Sequence, residues 1–160
     1  MLARIRQTIL IVLPVFVSLI FLDSLRYKFT DAPETQEIFG RLDGWAASLG
    51  APGLFDHTGL FSQYVIGSAE LIASTCLLIG FIPAFRRLQV VGSAFGLAIM
   101  TGAVNFNLFT PLGIDPNQDG GGLFMAACAV WVSCLVLLIL KRQDAAALVR
   151  DLGRALFTTR

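Results

Sequence analysis

Four stretches, residues 8–27, 63–85, 88–110 and 121–140, hold most of the chain's apolar residues. Each is close to the roughly 20 mostly apolar residues that a helix needs to cross a bilayer. Between the first two the chain turns polar, yet Ile38, Leu42, Trp45, Ala46 and Leu49 recur at the spacing of one helical face. With Pro33 before this pattern and Gly50 after it, the spacing predicts a short amphipathic helix. Two placements for it stay open: flat on the outer membrane surface with Trp45 at headgroup level, or as a cap on the helices beneath. After the fourth stretch, Leu148, Leu152, Ala155 and Leu156 fall on one side, with Arg150 and Arg154 near the other. That pattern predicts a basic amphipathic tail along the inner leaflet. The expected fold class is therefore all-α. A single domain, 1–160, forms an integral membrane four-helix bundle with an outer-surface amphipathic helix between helices 1 and 2 and a cytoplasmic tail at 141–160.

Two details refine the spans. Pro14 removes a backbone hydrogen bond inside the first and predicts a kink there. Gly92-x-x-x-Gly96 in the third lets helices approach closely, either within the bundle or across a homodimer.

Composition agrees with a membrane class. Of 160 residues, 56% are hydrophobic and 14% charged, with mean hydropathy +0.74, which does not suit a water-facing surface. The net charge of +1 is uninformative, and no basic patch suggests nucleic-acid binding. Nine of the twelve Lys and Arg fall before the first span, between the second and third, or after the fourth. Only Arg26, Lys28 and Arg41 fall on the opposite side. Cytoplasmic segments hold the excess of positive charge, so both termini should be cytoplasmic, with 30–62 and 111–120 outside. No small-residue cleavage site follows the first apolar run, which ends in Asp23-Ser24-Leu25-Arg26 and is expected to be retained as a helix.

Glu70 is the only ionisable side chain, thiols aside, in the apolar part of the second span. A carboxylate in hydrocarbon is costly unless paired, protonated or wet, so it needs partners and usually has a task. At 1.5 Å per residue it lies roughly 10 Å below the outer end of its span. Asp23 and Arg26 close the first span, Asn105 and Asn107 the third, and Asp119 opens the fourth, so polar side chains gather at the outer ends and the inner halves have almost none. This sorting implies a polar pocket that opens outward beneath 30–62. Arg26 is the expected partner of Glu70, with Lys28 as its alternative. The pair either fixes helix register or holds a polar head group while a lipophilic tail lies between helices. A quinone, a lipid precursor or a small thiol would suit such a site.

Other residues offer less. Cys76, Cys128 and Cys134 lie within spans, the last two about 9 Å apart along one helix, too far for a mutual disulfide. Cys76 and Cys134 reach similar depth, so a redox pair across helices 2 and 4 stays open beside the packing role usual for buried thiols. One histidine, His57, excludes bis-histidine haem ligation within the chain and disfavours zinc. Asp115-Pro-Asn117-Gln-Asp119-Gly120 matches the opening of a calcium loop, but the twelfth position is Ala126, so a turn capping the fourth span is expected and no metal site.

Leu25-Arg26-Tyr27-Lys28-Phe29 ending helix 1, a polar outer segment, then Tyr64-Val-Ile-Gly67-Ser-Ala-Glu70-Leu71 in helix 2, resembles the DoxX-like family of small bacterial membrane proteins. The resemblance covers roughly residues 5–141. Where such proteins often carry a histidine near the outer end of helix 3, this chain has Asn105 and Asn107. The resemblance implies a bacterial inner-membrane protein associated with oxidoreductase systems, some linked to quinone or thiol chemistry. The functional expectation is a membrane redox component in which Glu70 and Arg26 act and Asp23, Lys28, Asn105, Asn107 and Asp119 bind substrate. A small transporter, or a non-catalytic anchor subunit for a soluble oxidoreductase, stays open beside it.

Overall fold

A computed structural model describes residues 1–157, and over this range the chain is all-α. It comprises α1 (Leu2–Phe29), α2 (Pro33–Ser48), α3 (Gln63–Ile79), a 3-10 turn (Pro83–Phe85), α4 (Leu88–Phe109), α5 (Gly122–Leu140) and α6 (Arg142–Phe157). Among the described residues there is no strand. α1 and α4 each pack against both α3 and α5, so the four close on one core of Val17, Phe21, Ala73, Leu77, Val130 and Leu137. The outside of this group is also apolar, with Leu19, Ile72, Val132 and Ile139 at least half exposed. A helix apolar all round suits lipid better than water. α1, α4 and α5 are long and apolar enough to cross a membrane, which suggests a membrane protein.

α3 departs from the expected 63–85. It stops at Ile79 after 17 residues, because Pro83 lacks an N–H and holds Ile82 extended (φ −73°, ψ 125°). Two of the three glycines of α4, Gly92 and Gly96, serve contacts within the chain. A Cβ on Gly92 would lie 2.7 Å from the Ala73 carbonyl of α3, and one on Gly96 would lie 2.8 Å from Cys134 Sγ of α5.

α2 takes the capping placement. Its Leu42 and Ala46 join Phe55 and Leu112 in a second small core, and Trp45 meets Phe106 of α4 edge-on at 6.2 Å. Trp45 is thus held by an aromatic neighbour, while Leu49 turns out of that core and is 67% exposed. At the opposite end, α6 is tied to the α3–α4 connection by Arg86 to Asp144 (3.4 Å) and Arg87 to Asp151 (2.6 Å). Its Val149, Leu152 and Leu156 remain exposed, as the amphipathic pattern requires. Residues 158–160 of the expected tail lie outside the described residues.

Candidate functional site

The site begins with the buried stripe of α1. Val17, Phe21, Ser24 and Lys28 follow one another at spacings of three and four residues, so they share the face turned to α3 and α5. Lys28 ends this stripe with only 15% of its side chain exposed. Its Nζ donates to Ser24 Oγ and, at 3.1 Å, to Glu70 Oε1. Glu70 is buried at 2% exposure, and its second carboxylate oxygen has no partner among the described residues. Gly67, one turn before Glu70, lies against the Lys28 stem, where a Cβ would sit 3.5 Å from Lys28 Cβ and Cδ.

α3 is held at its start by Ser62, whose Oγ accepts from Val65 N at 3.3 Å, satisfying one of the free amides of the first turn. The next residue, Gln63, is buried and joins two layers. Its Nε2 donates to the Lys28 carbonyl at 3.0 Å and to Asp31 Oδ1 at 2.7 Å. Asp31 Oδ1 in turn lies 3.5 Å from His57 Nε2, whose ring meets Tyr64 edge-on at 5.8 Å. Polar groups therefore run from buried Glu70 through Lys28, Gln63 and Asp31 to the half-exposed His57.

Arg26 does not take the place expected of it. Two residues from Lys28 is about 200° around a helix, so Arg26 points away from α3. It pairs with Asp23 at 3.0 Å, with both side chains mostly exposed, and its guanidinium lies over the Tyr27 ring at 5.2 Å. The partner of Glu70 is the alternative, Lys28. Of the two asparagines, Asn107 is buried, donates to the Ala103 carbonyl at 2.8 Å and leaves its Oδ1 without a partner among the described residues, whereas Asn105 is exposed and donates to Thr101 O. Asp119 is also outside the Glu70 site. Its carboxylate accepts from the backbone N–H groups of Gly121, Gly122 and Leu123 and so caps α5, as the turn reading anticipated.

The pocket differs from the expected one as well. A cavity of about 330 Å³ lies at this end of the molecule, lined by Asp31, Asp43, Asp56 and His57, with Gln63 beneath. Neither Glu70 nor the asparagines line it; α2 and the chain that follows it form most of the wall. Ser24, Gln63, Asp31 and Asp43 were not singled out by sequence reasoning. For Ser24 the available signal was its place four residues before Lys28, and for Gln63 its place as the last polar side chain before an apolar run. The three thiols are free, and Cys134 is fully buried in the core against Gly96.

Chemically, the Glu70 pair offers both polarities to one ligand. Lys28 has three N–H donors, two of them taken by Ser24 Oγ and Glu70 Oε1, and Glu70 has an oxygen to spare. A group carrying a carbonyl and a hydroxyl, or alternating between them, would meet a donor and an acceptor side by side. Comparison with protein-family models, with curated proteins and with solved structures finds no match to this chain.

Proposed function

We propose that the chain is a four-span membrane protein of the bacterial inner membrane, with both termini cytoplasmic, and a component of a redox system that takes a quinone-like or thiol substrate. The observation that carries this reading is the Lys28–Glu70 pair, buried among apolar helices with one carboxylate oxygen unpartnered. A purely structural buried pair is favourable when its remaining lone pairs are satisfied, and this one leaves an acceptor open. Between the two preferred substrates the geometry favours the quinone-like one. Lys28 would donate to a quinone carbonyl, Glu70 would accept from the quinol hydroxyl, and a lipophilic tail would lie along the apolar helices. Electrons would come from a partner oxidoreductase. The charge split of nine to three supports the orientation, and the Arg26–Lys28 and Gly67–Glu70 resemblance to DoxX-like proteins supports the redox theme.

The test is to purify the full chain from its native membrane, extract bound small molecules, and identify them by mass spectrometry. A quinone should accompany the wild type and Arg26→Gln, and be lost from a folded Lys28→Met. Its absence from the wild type, or its retention by Lys28→Met, would overturn the quinone assignment. A low-molecular-weight thiol in its place would select the thiol form.

A second reading has its own observation. Arg86 and Arg87 fix α6 through Asp144 and Asp151, which holds the exposed Arg150 at the cytoplasmic end where a soluble oxidoreductase could dock. An anchor subunit would co-purify with that enzyme whether or not Lys28 is intact.

A further inference from the structure

The end of the molecule opposite α2 holds another cavity, of about 340 Å³, where the start of α1 meets the junction of α5 and α6. Its lining divides by chemistry: Arg6, Arg142 and Gln143 supply N–H donors, and Ile139 and Leu140 supply an apolar wall. Arg6 is anchored by one bond, from Nη2 to the Leu140 carbonyl at 3.0 Å, at the end of α5 where helix carbonyls lack internal partners. A guanidinium has five N–H donors, so most of this one stays available. Among the described residues neither Arg6 nor Arg142 is paired with a carboxylate.

A separate observation is the charge around the cavity. Residues 1–8, 83–88 and 141–157 meet at this end and carry eight Lys and Arg against two acids, Asp144 and Asp151. Both acids are already taken, by Arg86 and Arg87. Lys141 feels the resulting field: burial first, then Arg86 and Arg6, hold its ammonium below the usual 10.5 against the pull of Asp144. The counter-charge that this end lacks has to come from outside the chain.

Two features decide what kind of anion. The apolar wall continues along the helix that leads away from the cavity, because Ile139 and Val132, seven residues apart and so on one face of α5, are 57% and 52% exposed. A small soluble anion would leave that surface unused, and an acidic protein could not follow it into the bilayer. The ligand must therefore carry hydrocarbon beside its charge. The fork of an arginine matches the oxygens of a phosphate, and two such forks line this cavity. Basic pockets at the cytoplasmic ends of spanning helices are where anionic lipid headgroups bind.

We propose that this cavity binds the headgroup of an anionic phospholipid, with Arg6 and Arg142 on its phosphate and its acyl chains along the Val132–Ile139 face of α5. The inference rests on the membrane placement and orientation proposed above, and not on the Lys28–Glu70 pair or its substrate. The test is binding of fluorescently labelled phosphatidylglycerol to the full chain in detergent, with unlabelled phosphatidylglycerol, phosphatidylcholine and inorganic phosphate as competitors. Phosphatidylglycerol should compete best, phosphatidylcholine weakly and inorganic phosphate not at all, and binding should weaken as salt is raised. Arg142→Gln breaks no contact with the described residues and should weaken binding about fivefold; adding Arg6→Gln should bring the loss to about thirtyfold, the size expected of one and two interfacial arginines. Arg150→Gln removes the same charge elsewhere on α6 and should change binding less than twofold. Alkaline carbonate washing of the membranes separates the two ways of failing. A chain that stays in the membrane but does not prefer phosphatidylglycerol overturns the lipid site alone, whereas a chain released by carbonate overturns the membrane placement and the site with it. Competition by inorganic phosphate, undiminished binding by Arg142→Gln, or an equal loss in Arg150→Gln would each overturn the site as well.

Discussion

Lys28 Nζ sits 3.1 Å from Glu70 Oε1, while Arg26, two residues away, turns out to Asp23. Side-chain exposure separates the two ion pairs: 15% and 3% for Lys28 and Glu70, against 67% and 61% for Arg26 and Asp23. The first is therefore an interaction in a low dielectric with little screening, and the second is a surface pair. Removing one partner of a buried pair typically costs about 3 to 5 kcal/mol, because the other charge is left uncompensated. An exposed pair is worth about 0 to 1 kcal/mol. Glu70→Gln and Lys28→Met should each lower the melting temperature in detergent clearly, the double variant should recover much of the loss, and Arg26→Gln should be nearly silent. Additive effects at positions 28 and 70, with coupling under about 0.5 kcal/mol, would show that the pair does not act as one.

The α5 cap gives a prediction in pH. Desolvation acts to raise the Asp119 carboxyl, but hydrogen bonds donated by the Leu123, Gly122 and Gly121 backbone N–H groups outweigh it and hold it below the usual 3.8. Because the folded value is depressed, the ionised group contributes stability fully above the unfolded value and loses it as pH falls through the folded one. Asp119→Asn keeps an acceptor but not the charge at the helix start. Its melting temperature should be lower than wild type near neutral pH and should fall less on acidification below about pH 4. Parallel pH curves for the two proteins would show that the charge contributes nothing.

Orientation can be read by labelling. In a background with Cys76, Cys128 and Cys134 replaced by Ala or Ser, single cysteines at the exposed Ser48 and Gln143 should react from opposite sides of intact cells. A membrane-impermeant maleimide should reach Ser48 and not Gln143. The opposite pattern would invert the proposed topology.

How far the sequence carried these conclusions depended on the kind of signal. Helices α1, α4 and α5 were legible because a long apolar run has few alternatives. The end of α3 was missed because residues 80–85 are as apolar as the helix, and only the restriction that Pro83 places on Ile82 stops it. Choosing Arg26 over Lys28 failed for a related reason. A helix that is apolar all round carries no moment to say which face is inside, so the stripe from Val17 to Lys28 could not be told from its neighbours. Nor could hydropathy reveal the acidic cavity, since Asp31, Asp43 and Asp56 come from three turns of chain that only the α2 fold brings together. The amphipathic period of α2 was clear, but its partner was not: Phe106 and Leu112 lie far beyond it in the chain, in and after α4.

Two helical glycines on neighbouring strips of the same core should respond in opposite ways to alanine. At Gly92 an added methyl would meet the Ala73 carbonyl at 2.7 Å and Leu77 N at 3.0 Å, both of them backbone of α3, so the helices themselves must part. Overpacking of this kind costs about 1 to 3 kcal/mol. At Gly67 the nearest atoms are carbons of Lys28 and Phe29 at 3.5 Å, ordinary contact distance, so the methyl is accommodated. Alanine also has the better helix propensity, by about 1 kcal/mol at exposed sites. Gly92→Ala should therefore lower the melting temperature in detergent, and Gly67→Ala should leave it level or raise it slightly while keeping the Lys28–Glu70 coupling. If Gly67→Ala instead costs as much as Gly92→Ala, the Lys28 stem is held more tightly than contact distance allows. If Gly92→Ala is silent, the α3–α4 contact does not depend on that glycine.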